Sequence, residues 1–191
     1  ENMLINNPIT HNHDETNELL GIQEKERWLI IIIEFEGLPA GVGKDSEHAQ
    51  NLLMGVDGAD DYIDELTASN SVLEIVISDT VYTAPSSPSA WGTDHNGNRD
   101  VASDGSRPSD LASSAIRAIP DDIDLSQFDL NNDGTLDRLL MLHTGRPQET
   151  SGRSSDIWSH FQFLADPIQL GSTTISHYTM ASFQSGLGTI L

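Results

Sequence analysis

Residues 129–137, with the sequence DLNNDGTLD, space their oxygen-bearing side chains as a calcium loop does. The oxygen side chains fall at loop positions 1, 3, 5 and 9, and Gly134 at position 6 allows a sharp turn. Calcium takes roughly six to eight oxygen ligands, and alternate residues of a tight loop point towards its centre. The sequence therefore predicts a Ca²⁺ site. Its ligands would be Asp129, Asn131, Asp133, Asp137 and the backbone carbonyl of Thr135.

The flanks of this loop differ from those of a helix–loop–helix calcium site. Position 12 is Leu140, where such a site has a bidentate glutamate, and an apolar, strand-like run follows the loop. We therefore interpret the segment as a strand-flanked calcium loop that takes its last ligands from elsewhere in the fold. The alternative is an Asx-rich turn that binds no metal.

The histidines do not form a zinc motif within this sequence. None of the seven is followed by glutamate, none is paired with another four residues away, and no cysteine is present. These facts exclude a His-Glu-x-x-His helix and thiolate zinc sites from the sequence. No Gly-x-Ser-x-Gly motif or phosphate-binding glycine loop occurs either. His143, after an apolar run, and His160, after an aromatic residue, are candidates to face a cleft. The alternative is that both are hydrogen-bonded structural histidines.

Composition narrows the possible partners. The chain has 191 residues, 30 acidic against 9 basic, and a net charge of −21. Phosphate contacts require a basic face, so we expect no nucleic-acid partner, and docking on an anionic membrane is disfavoured for the same reason. No stretch reaches the roughly 20 apolar residues of a membrane span. The acidity indicates either a halophilic or marine setting or simply a soluble acidic surface.

The apolar pattern predicts one α/β domain. The continuous β-branched run at 28–33 is typical of a strand buried on both faces of a sheet, 72–77 is predicted to be a second strand, and the apolar run at 139–143 is predicted to be a buried strand. Spaced apolar residues at 47–66 predict one helix, or two short helices broken at Gly55 or Gly58. Residues 1–27 are predicted to form a polar N-terminal arm and residues 28–191 the domain. Within a long loop, residues 94–100 are interpreted as an ordinary turn, with a second cation site as the alternative.

The order of these segments resembles a known family. An apolar strand ending in Glu34-Phe35 and a helix containing Asp61-Tyr62 precede the loop at 129–137. After the loop come Leu142-His143-Thr144-Gly145, Gln148-Glu149 and Ile157-Trp158-Ser159-His160. This arrangement is similar to the catalytic domain of the immune inhibitor A-like secreted metallopeptidases. The similarity covers residues 28–191 and is most specific over 128–160.

The resemblance implies a fold and an activity. The expected fold is a twisted mixed β-sheet with packed helices, the upper lobe of a zincin-like metallopeptidase domain. The expected function is zinc-dependent endopeptidase activity of a secreted enzyme on extracellular proteins. In such a domain His143, Glu149 and His160 would flank the cleft, and an edge strand, for which we nominate residues 174–182, would bind an extended protein or peptide substrate.

In that family a Gly-rich stretch like residues 185–190 leads directly into the zinc helix, whereas this sequence stops at Leu191. The resemblance thus implies that Zn²⁺ and all catalytic residues belong to a C-terminal part absent here. We expect Leu187, Ile190 and Leu191 to be covered by a C-terminal fragment or another chain. The alternative function is a non-catalytic, calcium-stabilised extracellular module for adhesion or assembly.

Overall fold

The computed structural model describes residues 19–185, which form a six-stranded sheet with helices on both faces. The strands are β1 (Lys25–Phe35), β2 (Val72–Ile77), β3 (Tyr82–Ala84), β4 (Leu139–His143), β5 (His160–Leu170) and β6 (Thr173–Ser182). The helices are α1 (Ser46–Met54), α2 (Ala59–Thr67), α3 (Ser89–Gly92), α4 (Pro108–Ile116) and α5 (Gln148–Ser151), with a 3₁₀ turn at Leu125–Phe128. Most of the predicted N-terminal arm lies outside the described residues. The same holds for residues 187–191, which we expected to be covered by a C-terminal fragment or another chain.

The sheet is mixed, with a single antiparallel strand at one edge of the described fold. The strand order is β2-β1-β4-β6-β5, and β3 pairs with the end of β1 beyond β2. β1 is parallel to β2, β3 and β4, and β4 is parallel to β6, whereas β5 is antiparallel to β6. The predicted α/β class with a mixed sheet is confirmed. β1 begins at Lys25, three residues before the domain start predicted from the apolar run.

The two faces of the sheet carry separate cores. Alternate residues of a strand point to opposite faces, so the continuous run of β1 sends Ile30 and Ile32 to one side and Ile31 and Ile33 to the other. Helices α1 and α2 cover the first face, and α4 with the 3₁₀ turn covers the second. All four isoleucines are at most 3% exposed. A run without alternation is therefore explained by burial on both faces.

The predicted helical region at 47–66 contains two helices because of two glycines. Helix α1 ends at the cap residue Gly55, and α2 begins after the cap residue Gly58. A Cβ on Gly58 would lie 2.6 Å from the Gly55 carbonyl oxygen, and one on Gly55 would lie 2.2 Å from the Asn51 carbonyl oxygen. The tight connection between the two helices therefore depends on the absence of side chains at these positions.

The nominated edge strand is wrong. β6 lies between β4 and β5, bonded to both, and seven of its ten residues are buried. The edge on this side of the described sheet is β5, which a tight turn at Gly171, with φ +57°, joins to β6. The apolar composition of β6 reflects an interior position. β5 is more exposed and contains Pro167, a residue that edge strands tolerate because it lacks an N–H donor.

Among the helices of residues 19–185, none combines the length and apolar character needed to cross a bilayer.

Candidate functional site

Polar side chains gather where the parallel strands β4 and β6 end. His143 and Ser182 are register partners at the last positions of these strands. Because β5 runs in the opposite direction, its first residue, His160, lies near the same end of the sheet. Ligands of α/β sheets bind beyond the carboxyl ends of parallel strands, so this carboxyl-edge cluster is the candidate functional site. Its members are His143, Glu149, Ser159, His160, Ser182 and Ser185.

Glu149 is the anionic centre of the carboxyl-edge cluster. Its Oε1 accepts hydrogen bonds from the Ser159 hydroxyl at 2.6 Å and the Ser185 hydroxyl at 3.0 Å. Its Oε2 accepts the Ser159 backbone N–H at 3.2 Å. Burial would raise the pKa of Glu149, but the hydrogen bonds from Ser159 and Ser185 outweigh it, and the pKa is lowered. The carboxylate is therefore ionised at neutral pH and held in one orientation.

His160 is held at both ring nitrogens. Nδ1 lies 2.7 Å from the Trp158 carbonyl oxygen, which only accepts hydrogen bonds, so Nδ1 carries a proton. Nε2 lies 3.0 Å from the Tyr178 hydroxyl. Burial lowers the pKa of His160 against the opposing effects of the Trp158 carbonyl and Glu149. The lowered pKa favours the neutral ring with its proton on Nδ1. The Tyr178 hydroxyl then has one proton for two acceptors, His160 Nε2 and the Gln162 side-chain oxygen at 3.2 Å.

His143 is fully buried and differs from His160 in having no hydrogen-bond partner within the described residues. Its ring packs edge-on against Phe35, with centroids 6.0 Å apart. Burial lowers the pKa of His143 to about 3, with a smaller opposing effect of Glu149. His143 is therefore a neutral imidazole at physiological pH.

The structure brings the three predicted cleft residues to one end of the sheet. Glu149 acts electrostatically on both histidines, although the three are not hydrogen-bonded to one another. Sequence reasoning missed Ser159, Ser182 and Ser185. Ser182 donates to the Gly145 carbonyl oxygen, and its backbone N–H donates to the Ser185 hydroxyl at 3.1 Å. Serines are too common in this chain to be singled out without knowledge of the strand pairing.

The predicted calcium loop folds into a compact turn around its own carboxylates. Asp129 accepts the Asp133 N–H at 3.0 Å through Oδ1 and the Gly134 N–H at 2.8 Å through Oδ2. Asp133 accepts the Thr135 N–H at 2.8 Å and the Asn131 amide at 2.9 Å. Burial would raise the pKa of Asp133, but the hydrogen bonds from Asn131 and Thr135 outweigh it, and the pKa is lowered.

Asp137 closes the loop from the buried side. It is 6% exposed, and its Oδ2 accepts the Leu130 N–H at 2.7 Å. Burial raises the pKa of Asp137, and the carboxylates of Asp133 and Asp129 raise it further. The Leu130 N–H and Arg138 lower it, but they do not outweigh these effects. Thr174 pairs with Gly134 and Leu136, which flank Thr135, and so anchors the loop to β6. The five predicted ligands thus belong to one rigid loop between the 3₁₀ turn and β4.

The donor chemistry of this loop fits calcium, which accepts carboxylate, amide and carbonyl oxygens together. Across residues 19–185, no three histidine, aspartate or glutamate side chains are grouped closely enough to hold a metal ion by themselves. A calcium ion would therefore need the Asn131 amide and the Thr135 carbonyl as well as carboxylates. The same finding means that the described residues contain no group of histidine, aspartate and glutamate side chains that fits zinc.

The loop at 94–100 contacts the helix that carries Glu149. Asp94 accepts the Asp100 N–H at 3.0 Å and the Gln148 side-chain amide at 2.8 Å. Asp100 accepts the Trp158 N–H at 3.2 Å, and the Arg99 guanidinium carbon lies 3.7 Å from the Trp158 ring centroid. Burial raises the pKa of Asp100 to about 7; Asp94 and Glu149 add to the effect, and the Trp158 N–H and Arg99 oppose it. The two ends of the loop, Asp94 and Asp100, are thus half-buried and hydrogen-bonded, whereas residues 95–99 are exposed.

A scan of protein-family models and a search of curated proteins found no match to this sequence.

Proposed function

We propose that this chain is part of a secreted zinc-dependent endopeptidase that cleaves extracellular proteins, with the zinc ligands outside the described residues. The observation that supports the proposal is the juxtaposition of the carboxyl-edge cluster with the start of an edge strand. Glu149 bonds Ser159, and the next residue, His160, opens β5. An extended peptide on that strand would therefore pass directly beside an ionised carboxylate and a neutral imidazole.

Strand β5 has the features of a peptide-binding edge. Its inner side pairs with β6, and within residues 19–185 no strand pairs with its outer side. Extended peptides bind such edges through main-chain hydrogen bonds, while side chains on the strand determine which residues are accepted. The register shifts between Phe163 and Ile168, and Pro167 lacks a donor, so the regular part of the edge is its first half. Substrate binding is therefore expected beside His160–Phe163.

An aromatic surface accompanies this half of β5. Phe161 is 45% exposed, and its ring centroid lies 5.3 Å from that of Phe163 and 5.5 Å from that of His177. A peptide strand paired with β5 would place alternate side chains on the same face as these rings. We therefore expect substrates with large apolar side chains at those alternate positions.

The cluster has two groups suited to a bound peptide. Glu149 is an acceptor for peptide N–H groups or cationic side chains, although two serine hydroxyls already share its Oε1. His160 presents a neutral ring whose proton lies on the nitrogen facing the Trp158 carbonyl. Both groups would orient a substrate and neither requires a change of protonation at neutral pH.

The test is to express the complete reading frame that contains this sequence and to assay casein cleavage. We expect turnover that a zinc chelator abolishes and that zinc restores, and a Glu149→Gln variant that folds but cleaves at least 10-fold more slowly. The 191-residue chain alone, given zinc, should leave casein intact, since its described part has no fitting zinc site. A complete protein that binds calcium but cleaves nothing would contradict the proposal and favour the adhesion or assembly module.

A further inference from the structure

The edge of the sheet opposite β5 has backbone groups that no residue of 19–185 uses. β2 pairs only with β1, as six parallel register partners without a shift. The N–H groups of Val72 and Ser78, at the two ends of this segment, donate towards β1 at 3.0 and 2.9 Å. Alternate residues of a strand direct their backbone groups to opposite sides, so Leu73, Ile75 and Ile77 direct N–H and C=O groups away from β1. No described residue bonds to these groups.

The β2 edge also lacks the features that protect the β5 edge. β5 contains Pro167 and a register shift, whereas β2 contains no proline, glycine, lysine or shift. The single charged residue of β2 is Glu74, and its carboxylate lies 2.6 Å from the guanidinium of Arg27 on β1. Proteins commonly protect exposed edges with charges, prolines or bulges, and an unprotected edge pairs readily with another strand. β2 is therefore the edge of the described sheet that is best suited to accept a further strand.

We propose that β2 is the interface of a homodimer, in which it pairs antiparallel with β2 of a second copy of this chain. The argument for a second copy is that the strand is self-complementary. A two-fold axis at Ile75 places Leu73 opposite the partner's Ile77, Ile75 opposite the partner's Ile75, and Ile77 opposite the partner's Leu73. Each of these facing pairs exchanges two backbone hydrogen bonds, so every unused N–H and C=O group of these residues is satisfied. Dimers with a two-fold axis are the commonest oligomers because a single surface complements itself.

The side chains match in the same register. Leu73, Ile75 and Ile77 lie on the face covered by α1 and α2, and pairing joins the apolar rows of the two copies. On the other face Glu74 lies opposite the partner's Val76, so the only charge of the strand meets no like charge. An axis at Glu74 would instead place two carboxylates directly opposite each other, which is destabilising. The side chains therefore select the register that also satisfies the backbone.

The acidic surface determines when the dimer forms. Each chain has a net charge of −21, so two copies repel each other at low ionic strength. The proposed contact consists of backbone hydrogen bonds and apolar side chains, which salt does not weaken. Association should therefore strengthen as salt is added, the reverse of an interface held by ion pairs. This inference is independent of the peptidase proposal, since β2 and β5 are opposite edges of the sheet.

The experiment is sedimentation equilibrium of the 191-residue chain, from about 1 to 1,000 μM, the range over which weak dimers dissociate. Sodium chloride is varied from about 0.1 to 1 M, where the Debye length falls from about 10 to 3 Å. Two variants change the residue that faces Glu74. Val76→Glu creates two like-charge pairs in the dimer, and Val76→Lys creates two opposite-charge pairs. Val56→Glu is the matched control, because it adds the same charge as Val76→Glu at a position that is 93% exposed.

We expect a monomer–dimer equilibrium that shifts towards the dimer as salt is added. At about 0.1 M salt, Val76→Glu should weaken the dimer about 3-fold or more relative to Val56→Glu, and Val76→Lys should tighten it about 3-fold or more relative to wild type. Amide hydrogen exchange gives a second measurement. The N–H groups of Leu73, Ile75 and Ile77 should exchange more slowly at high protein concentration, whereas the N–H group of Glu74, which points towards β1, should not change.

The lysine variant keeps the test decisive if Val76→Glu does not fold, because it is expected to strengthen association while replacing the same valine. The proposal is overturned if the wild-type chain stays monomeric at every concentration and salt, as it would if another segment or another protein covers β2. It is also overturned if a dimer forms without slower exchange at Leu73, Ile75 and Ile77, or if Val76→Lys fails to tighten it.

Discussion

Glu26 and Arg138, 112 residues apart in sequence, form a bidentate ion pair at the base of the sheet. Arg138 Nε lies 2.8 Å from Glu26 Oε2, and Nη2 lies 3.1 Å from Oε1. The Glu26 side chain is 1% exposed and also accepts the Trp28 indole N–H at 3.0 Å. Because Arg138 directly follows Asp137, the pair fastens the end of the calcium loop to the first strand.

Breaking this pair should cost far more than breaking an exposed one. Arg138→Met leaves the Glu26 charge buried without compensation, and we expect a loss of about 3–5 kcal/mol in the free energy of unfolding, measured with urea. Adding Glu26→Gln should recover most of that loss. The control is Arg27→Met, which breaks the half-exposed Arg27–Glu74 pair and should cost less than about 1 kcal/mol. Equal costs for the two arginines would refute this assignment.

Calcium should stabilise the fold through the loop at 129–137. Binding to the folded state alone contributes RT ln(1 + [L]/Kd), about 2.7 kcal/mol at 100-fold excess over Kd. For a domain of this size we expect roughly 5–10 °C in melting temperature. Asp133→Ala should remove most of that response, because it deletes a central ligand and leaves Gly134 in place.

The measurement is a melting curve with calcium and with chelator at fixed high salt. Asp122→Ala, an exposed carboxylate of the preceding segment, is the control and should keep the full response. A wild-type chain that melts at the same temperature in both conditions would refute calcium binding at this loop.

The buried imidazole of His143 should make the fold sensitive to acid. Its pKa is about 3 in the folded chain and about 6.5 when unfolded, so between these values the unfolded state binds the additional proton. Its contribution to stability is therefore complete above pH 6.5 and is lost as pH falls from 6.5 towards 3, with a slope of at most about 1.4 kcal/mol per pH unit.

His143→Leu should flatten this part of the stability curve between pH 6.5 and 4, because leucine binds no proton. The free energy of unfolding is measured with urea at each pH. His95→Gln removes an exposed histidine and should leave the curve unchanged. If His143→Leu and wild type keep parallel curves over this range, the histidine is not neutral and buried as described.

If the endopeptidase proposal holds, Phe161 should contribute to substrate binding more than to stability. Phe161→Ser should cost about 1 kcal/mol of stability, since the ring is 45% exposed. In the complete enzyme we expect KM for a peptide with large apolar residues to rise on the order of 10-fold, equivalent to about 1.4 kcal/mol. Phe161→Tyr should keep KM near wild type. Val56→Ser, at another exposed apolar position, should not change it. A wild-type KM in Phe161→Ser would exclude peptide binding on this face.

The sequence predicted the strands themselves better than it predicted which strands lie next to one another in the sheet. Continuous apolar runs identified β1 and β4, which are buried, because such runs have few other structural uses, and β2 was identified from its β-branched residues although most of it is not buried. The edge was misassigned because apolar content marks burial, and β6 is the more buried member of the β5–β6 hairpin. The Glu26–Arg138 pair could not be predicted, since one acid among 30 gives no sign of which arginine it meets. His143 and His160 were candidates from their positions after an apolar run and an aromatic residue, whereas Glu149 was found only because a family resemblance suggested it.

The pairing of β1 with β4 has a consequence for how the chain folds. Leu29 and Leu139 are register partners, so the centre of the sheet cannot form until the whole intervening chain has been synthesised and closed into a loop. The β5–β6 hairpin, by contrast, joins neighbours in sequence and needs only a short turn. Local pairings form in microseconds, whereas distant parallel ones are slow because loop-closure entropy is lost before contacts are gained. When the full chain refolds, we therefore expect the hairpin to form first, with the unpaired edge of β6 exposed to other chains until β4 pairs with it.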